Sequence, residues 1–220
     1  LSSFYFDLLK DRLYTFAPHN RGRRSAQMAV YRIANALVRL IAPILVFTAE
    51  EAWKYLPHVS GEPESVHMAL FPDAAKLEHA LDEMRAKNWD RLHAVREEVL
   101  KTLEPLRVAK TISANLEARV TLSASGDLAE LLKKYAAFLP ALFIVSQVEI
   151  EMRPTNGSGS AAGLGDLKVR AEKARGAKCD RCWNYSVHVG ESSDYPTLCE
   201  RCVAALDEID GDAAAAGSNK

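Results

Sequence analysis

Residues 178–202 read KCDRCWNYSVHVGESSDYPTLCERC. Cys179 and Cys182 enclose two residues, Cys199 and Cys202 enclose two more, and sixteen residues separate the pairs. This is the two-knuckle spacing of a four-cysteine zinc ribbon, in which each CxxC turn brings two sulfurs to one side of a tight loop. Gly190, midway between the pairs, allows a hairpin to return the chain. With all four positions filled by protein no place remains for a water, so the expected Zn²⁺ is structural rather than hydrolytic. Zinc draws protons from thiols, and four thiolates around one Zn²⁺ leave a formal charge of about −2. Lys178, Arg181 and Arg201 are close enough in sequence to offset it. A redox dithiol or a disulfide pair is the competing use of the same cysteines, and His188 is an alternative ligand. A lone histidine beside a hairpin, however, more commonly faces solvent.

Outward from the cysteines the charge is uneven. The net charge of the 220 residues is −1, which excludes a uniformly basic nucleic-acid coat. Residues 168–181 nevertheless hold six Lys or Arg against Glu172 and Asp180. Residues 1–24 hold Lys10, Arg12, Arg21, Arg23 and Arg24 against Asp7 and Asp11. Beyond Cys182 the balance reverses, from Glu191 to Asp212, and that end should repel phosphate. The composition, 48% hydrophobic and 26% charged, suits a soluble globular protein. The longest apolar run, Leu37–Phe47, is broken by Arg39 and Pro43 and falls far short of the roughly 20 residues that span a bilayer. No membrane passage is expected, and LSSFYFDLLKDRLY does not read as a secretory leader. Four cysteines without a leader favour metal over disulfide and a cytoplasmic setting.

The periodicities give a mainly α chain. Val30, Ile33, Ala34, Leu37 and Ile41 recur every three or four residues, as on one stripe of a helix, with Arg32 and Arg39 on another face. Pro43 ends or kinks that helix, Thr48 and Glu51 read as a capping box for the next, and Pro57 stops it. With a helix over Phe4–Tyr14 this predicts a small helical bundle over residues 1–58. Residues 58–73 read as a connector draped over it. Trp89, Leu92, Val95, Val99, Leu103 and Leu106 mark a long helix, preceded by a turn or two around Leu77–Met84 and limited by Pro105 and Lys110. The period then drops to two: Ala118, Val120, Leu122 and Val148, Ile150, Met152 alternate with polar residues, as in strands. Asp127 opens a helix through Leu139, and Leu167, Val169 and Ala171 suggest a third strand. Trp53, Trp89 and Tyr31 are expected in the core. The expected divisions are 1–110 helical, 111–173 a small α+β unit, 174–209 the ribbon and 210–220 a disordered tail.

Several stretches resemble bacterial isoleucyl-tRNA synthetases: DRLYTFAP (11–18), RRSAQMAVYRI (23–33), IAPILVFTAEEAW (41–53), SVHMALFP (65–72), WDRLHAVREEVLKTLE (89–104), and KCDRCWNY with YPTLCERC. The resemblance implies a helical anticodon-binding domain, an α+β junction domain and a zinc-binding tip, in the order found from the residues. It further implies that the parent enzyme joins isoleucine to tRNA(Ile) using ATP, as a monomer. Neither a HIGH-like nor a KMSKS-like ATP motif is present, so the chain reads as the RNA-holding part of such a synthetase, with ATP and the rest of the polypeptide lying outside it. No catalytic residue is assigned.

Anticodon bases are unstacked, so recognition favours aromatic rings for stacking and Arg or Lys for phosphates. Trp183 is the foremost stacking candidate, with packing in the ribbon's own core as its alternative. Arg181 is expected to point outward. Arg12, Arg21, Arg23, Arg24, Arg32 and Arg39 are candidates along the stem path. A formamidopyrimidine-type glycosylase, whose DNA-binding ribbon uses nearly the same cysteine spacing, is the closest rival. That family needs an arginine at the hairpin tip, where this chain reads Val189-Gly190-Glu191. A protein-binding zinc ribbon is the third reading.

Overall fold

The computed structural model describes residues 2–75, 82–153, 164 and 167–217. They fall into two compact units, Leu1–Ala17 with Asp82–Lys220, and Pro18–Leu81. This grouping follows contacts rather than chain order. It separates the first helix from those that follow it and places that helix with the α+β and cysteine-bearing parts.

The chain starts with a π-helical turn, Ser2–Phe6, that runs into α1, Asp7–Thr15, where Leu8 and Leu9 are buried. In the second unit α2, Arg21–Ile41, begins at Asn20, whose side chain accepts the Gly22 N–H at 2.8 Å. The α2 helix ends before Pro43, as expected. The next helix, α3, Val46–Tyr55, starts two residues ahead of Thr48, so the expected capping box does not form. The reason is local: the Ile44 and Leu45 N–H groups both return to the Ile41 carbonyl, and the tight turn leaves no extended residue at 48. This unit's core holds Val38, Ala42, Ala49, Trp53 and Val66, with Ile41 packed against it. Leu37, expected on the buried stripe, is half exposed, because the stripe runs one position over.

The connector lies over this core as expected. The Trp53 indole N–H donates to the Pro63 carbonyl at 3.1 Å, and Glu50 accepts from the Ser65 hydroxyl at 2.8 Å and the Val66 N–H at 3.1 Å. Fastening the connector is thus what Glu50 does. Leu77–Leu81, part of an expected helical turn, lie outside the described residues.

The long helix α4, Glu83–Val108, is capped by Asp82, whose carboxylate accepts the Arg85 N–H at 3.0 Å. Pro105 is accommodated in its last turn, and Lys110, at φ +55°, marks the exit. One side of α4 buries Leu92, Val95, Val99 and Leu103. Three strands, β1 (Ala118–Ala124), β2 (Gln147–Met152) and β3 (Lys168–Lys173), pair in the order β2-β1-β3, with β2 parallel and β3 antiparallel to β1. Val120 faces Val148 and Ala171, and Leu122 faces Ile150 and Val169, so an apolar ladder crosses the sheet. Central β1 is covered on both faces, which buries Arg119; its guanidinium spans Glu172 at 2.6 Å and Glu149.

The parallel β1–β2 pair needs a crossover, which α5 (Gly126–Lys134) and α6 (Leu139–Phe143) provide. The single helix expected from Asp127 to Leu139 is divided because Pro140 is tolerated only in the first turn of a helix. Trp89 and Tyr31, expected in the core, are half buried, and Trp89 packs edge-on against Phe138. The last helix, α7, extends Glu200–Gly217. The expectation of a disordered tail from residue 210 is therefore corrected as far as Gly217. The run Ala213–Ala216 carries the strongest intrinsic helix former. Residues 218–220 lie outside the described residues.

Candidate metal centre and nucleic-acid interface

Two short strands, β4 (Ala177–Lys178) and β5 (Tyr185–Ser186), pair antiparallel, and the first CxxC is the turn between them. The Trp183 N–H donates to the Cys179 carbonyl at 2.8 Å and the Cys179 N–H to the Asn184 carbonyl at 2.9 Å, which closes the knuckle. Closure forces Trp183 to φ +64°, a left-handed conformation that a non-glycine residue adopts only under constraint. The second CxxC is built differently from the facing loop expected. Cys199 immediately precedes α7 and Cys202 lies in its first turn; the Cys202 and Val203 N–H groups return to the Cys199 carbonyl at 2.9 and 3.0 Å, and the Cys199 N–H donates to Cys179 Sγ at 3.3 Å.

All four sulfurs lie within 4.8 Å of one another, and each cysteine is buried and free of disulfide. The Cys182 and Cys199 sulfurs are 3.7 Å apart. A tetrahedron with Zn–S bonds of about 2.3 Å has edges of about 3.8 Å, so the donor set fits zinc in both chemistry and size. Without a cation among them the thiols do not share charge evenly. Hydrogen bonding from Cys202, followed by contributions from Asn184 and Arg201 against the cost of burial, holds the Cys182 thiol down to about 3. Burial and the nearby Cys182 charge push Cys199 up to about 11, and Cys202 rises as the donor to Cys182. Crowded thiols resist ionising together, and a divalent cation among them supplies the missing compensation. Bound zinc supplies a closed structural cross-link. His188 takes no part; its Nδ1 meets the Glu191 carboxylate at 2.8 Å.

The finger is fastened to the rest of its unit. Ser146 Oγ accepts the Tyr185 N–H at 2.7 Å, and the Gln147 side chain accepts the Arg175 N–H at 3.0 Å and donates to the Arg175 carbonyl at 2.8 Å. Arg181 Nη1 donates to the Thr15 carbonyl at 2.5 Å and approaches Cys202 Sγ at 3.7 Å. Arg201 grips both Asp11 carboxylate oxygens, one at 2.8 Å. Burial pulls the Arg201 guanidinium down, but Asp11 and the Cys182 sulfur outweigh it and the net shift is upward. The outward orientation expected of Arg181 is thus corrected: the attraction of a buried sulfur cluster and an unpaired helix-end carbonyl turns it inward.

The other RNA-contact candidates separate by environment. Trp183 is 61% exposed, with Lys178 Nζ 5.3 Å from its ring centroid, so the alternative of a core Trp183 does not hold. Arg12 is half buried over the Phe138 ring at 5.0 Å. Arg39 is committed to Glu62 at 3.2 Å and to the face of Trp53 at 5.3 Å. Arg21, Arg24 and Arg32 are exposed along α2, while Arg23 is half buried and engaged. Sequence reading missed Asp11, Thr15, Ser146 and Gln147, since nothing local marks a partner 166 or 190 residues away. Lys178 beside Trp183 was read only as a charge compensator.

Residues 1–122 match the family model described as the anticodon-binding domain of tRNA ligase, and residues 176–205 match the zinc finger found in FPG and IleRS. The isoleucine--tRNA ligase of Syntrophotalea carbinolica is 49% identical over 211 residues, which is 94% of this chain and 22% of that relative. The isoleucine--tRNA ligase of Symbiobacterium thermophilum is 45% identical over 212 residues, again 94% of this chain and 22% of the relative. The chain therefore spans about a fifth of the length of the relatives it matches. The finger is shared with another class of protein, but the first 122 residues, more than half of the chain, are not in doubt: this chain belongs to the anticodon-binding domain family of the tRNA ligases.

Proposed function

We propose that the chain is the anticodon-recognising and zinc-binding portion of an isoleucyl-tRNA synthetase and that it holds the anticodon stem-loop of tRNA(Ile). The parent enzyme would join isoleucine to tRNA with ATP in a catalytic part outside these residues, acting in the cytoplasm as a monomer. This portion contributes binding and orientation. Its organisation along the chain is a helical part over 1–110, a junction over 111–173 and a tip over 174–209.

The observation that carries this reading is Trp183. A large ring is held out in solvent on a rigid metal-braced turn, at the cost of a left-handed backbone, with a lysine cation beside it. Such a ring offers a stacking face to any unstacked base, and the cation offers a partner to the adjoining phosphate. On the other unit, Arg21, Arg24 and Arg32 present exposed cations on α2 suited to backbone phosphates. No helix among the described residues is long and apolar enough to cross a membrane.

Binding of the 220-residue chain to tRNA(Ile), to the same tRNA with an altered anticodon and to duplex DNA tests the proposal. Anticodon-dependent binding that Trp183→Gly weakens by about 1–3 kcal/mol supports it. Preference for duplex DNA would favour the glycosylase-type use of the finger. Indifference to both nucleic acids would favour a protein-binding module.

A further inference from the structure

The metal cluster and the first helix share two arginines. Arg181 reaches a sulfur of the finger and a carbonyl of α1, and Arg201, in the first turn of α7 beside Cys202, reaches the Asp11 carboxylate of α1. Arg181 lies between Cys202 Sγ and the carbonyl of Thr15, the last residue of α1. Arg201 lies one turn deeper, with its fork on Asp11 and its guanidinium 5.6 Å from the Phe16 ring centroid. The arginines and the α1 groups they hold come from opposite ends of the sequence.

We infer that Arg181 and Arg201 are positioning residues that form a joint, through which metal occupancy fixes the C-terminal half of α1. This goes beyond the tRNA reading and does not depend on it. The finger's own secondary structure is a pair of two-residue strands, too short to hold a knuckle without a cross-link. Without metal the cysteine turns lose their brace, and Arg181 and Arg201, each the immediate chain neighbour of a ligand cysteine, lose their fixed positions with them. The nine-residue α1 is itself below the length at which a helix is stable alone in water. Leu8 and Leu9 anchor its first half in the core, whereas Asp11, Thr15 and Phe16 are held by the arginines. Metal loss should therefore loosen residues 11–16 and leave α4, which is buried along Leu92–Leu103, unaffected.

Coupling of this kind is reciprocal: if zinc orders the end of α1, ordering the end of α1 tightens zinc by the same factor. Hydrogen–deuterium exchange on the zinc-loaded and chelated chain, with zinc affinity measured by competition against a chromophoric chelator, tests both directions. Chelation is expected to speed exchange of the residue 11–16 amides about tenfold or more while amides of residues 95–103 keep their protection. Asp11→Asn, zinc-loaded, is expected to speed the same α1 amides and to weaken zinc by a matching factor. The charge exchange Asp11→Arg with Arg201→Asp should recover part of both.

Unchanged exchange at 11–16 on chelation overturns the joint. So does an Asp11→Asn protein that binds zinc as tightly as the original. Loss of protection across α4 as well would also overturn it, since zinc would then be supporting the whole unit rather than one helix end.

Discussion

The backbone carbonyl of Ser186 occupies the space that a Cβ on Gly176 would need, and Gly176 has φ +87°. Gly176 is the entry to the β4–β5 hairpin, so absence of a side chain lets the finger fold back against its own strand. Gly176→Ala should cost about 2–4 kcal/mol, combining left-handed strain with a clash against backbone that cannot rotate away. Gly61→Ala provides the control, since Gly61 has φ +91° but nothing within 4 Å of the added carbon. It should cost only about 1–2 kcal/mol. Urea unfolding of the two variants measures the difference, and equal costs would refute the close approach.

Replacing Cys182 with Ser removes the thiol that the surrounding donors ionise most readily. The chain should lose its zinc, a site worth on the order of 10 kcal/mol, and residues 177–202 should open. Metal analysis of the purified variant decides this. Stoichiometric zinc in the serine variant would be incompatible with four-sulfur coordination.

Trp183 makes a contrary prediction about stability. Its ring is exposed and its backbone is left-handed, so Trp183→Gly should leave the finger as stable or raise its stability by about 1 kcal/mol, with zinc retained. Thermal unfolding monitored with zinc release tests this. A loss of 2 kcal/mol or more, as expected for removing a core ring, would show that the ring packs the module after all.

His188 is raised above its ordinary value by the hydrogen bond and charge of Glu191. A raised folded-state value means that the pair's contribution is fully present below the unfolded histidine value, near 6.5, and is lost as pH rises through the folded one. NMR titration of the wild type and Glu191→Gln should show the His188 midpoint falling in the variant. Both proteins should have the same stability at pH 9, and the wild type a slight advantage at pH 5.5. A His188 resonance that does not titrate would instead point to metal ligation.

The alternating and three-to-four-residue periods located the long α4, the strands and the connector, because those signals are local and the core needs them. They misplaced the start of α3, where a turn carried its hydrogen bonds onward from Ile41, and they missed the break at Tyr135–Leu139, where Pro140 allows only a fresh helix start. Nor does a pattern of period two report that Arg119, among the polar residues of that alternation, is buried between Glu149 and Glu172, its ion-pair partners on the two neighbouring strands.

By itself the sequence determined the metal site, since two CxxC pairs at that spacing can bring four sulfurs around one ion, and the family is written in stretches such as IAPILVFTAEEAW. Tertiary structure alone decided which cations serve which purpose. Arg181 and Arg201 turn toward sulfur and α1, Arg39 turns onto Trp53, and Trp183 is left facing solvent. The physical reason is that an arginine's partner is set by the nearest uncompensated charge in space. For these side chains that charge can lie up to 190 residues away along the chain, a distance that no local pattern encodes.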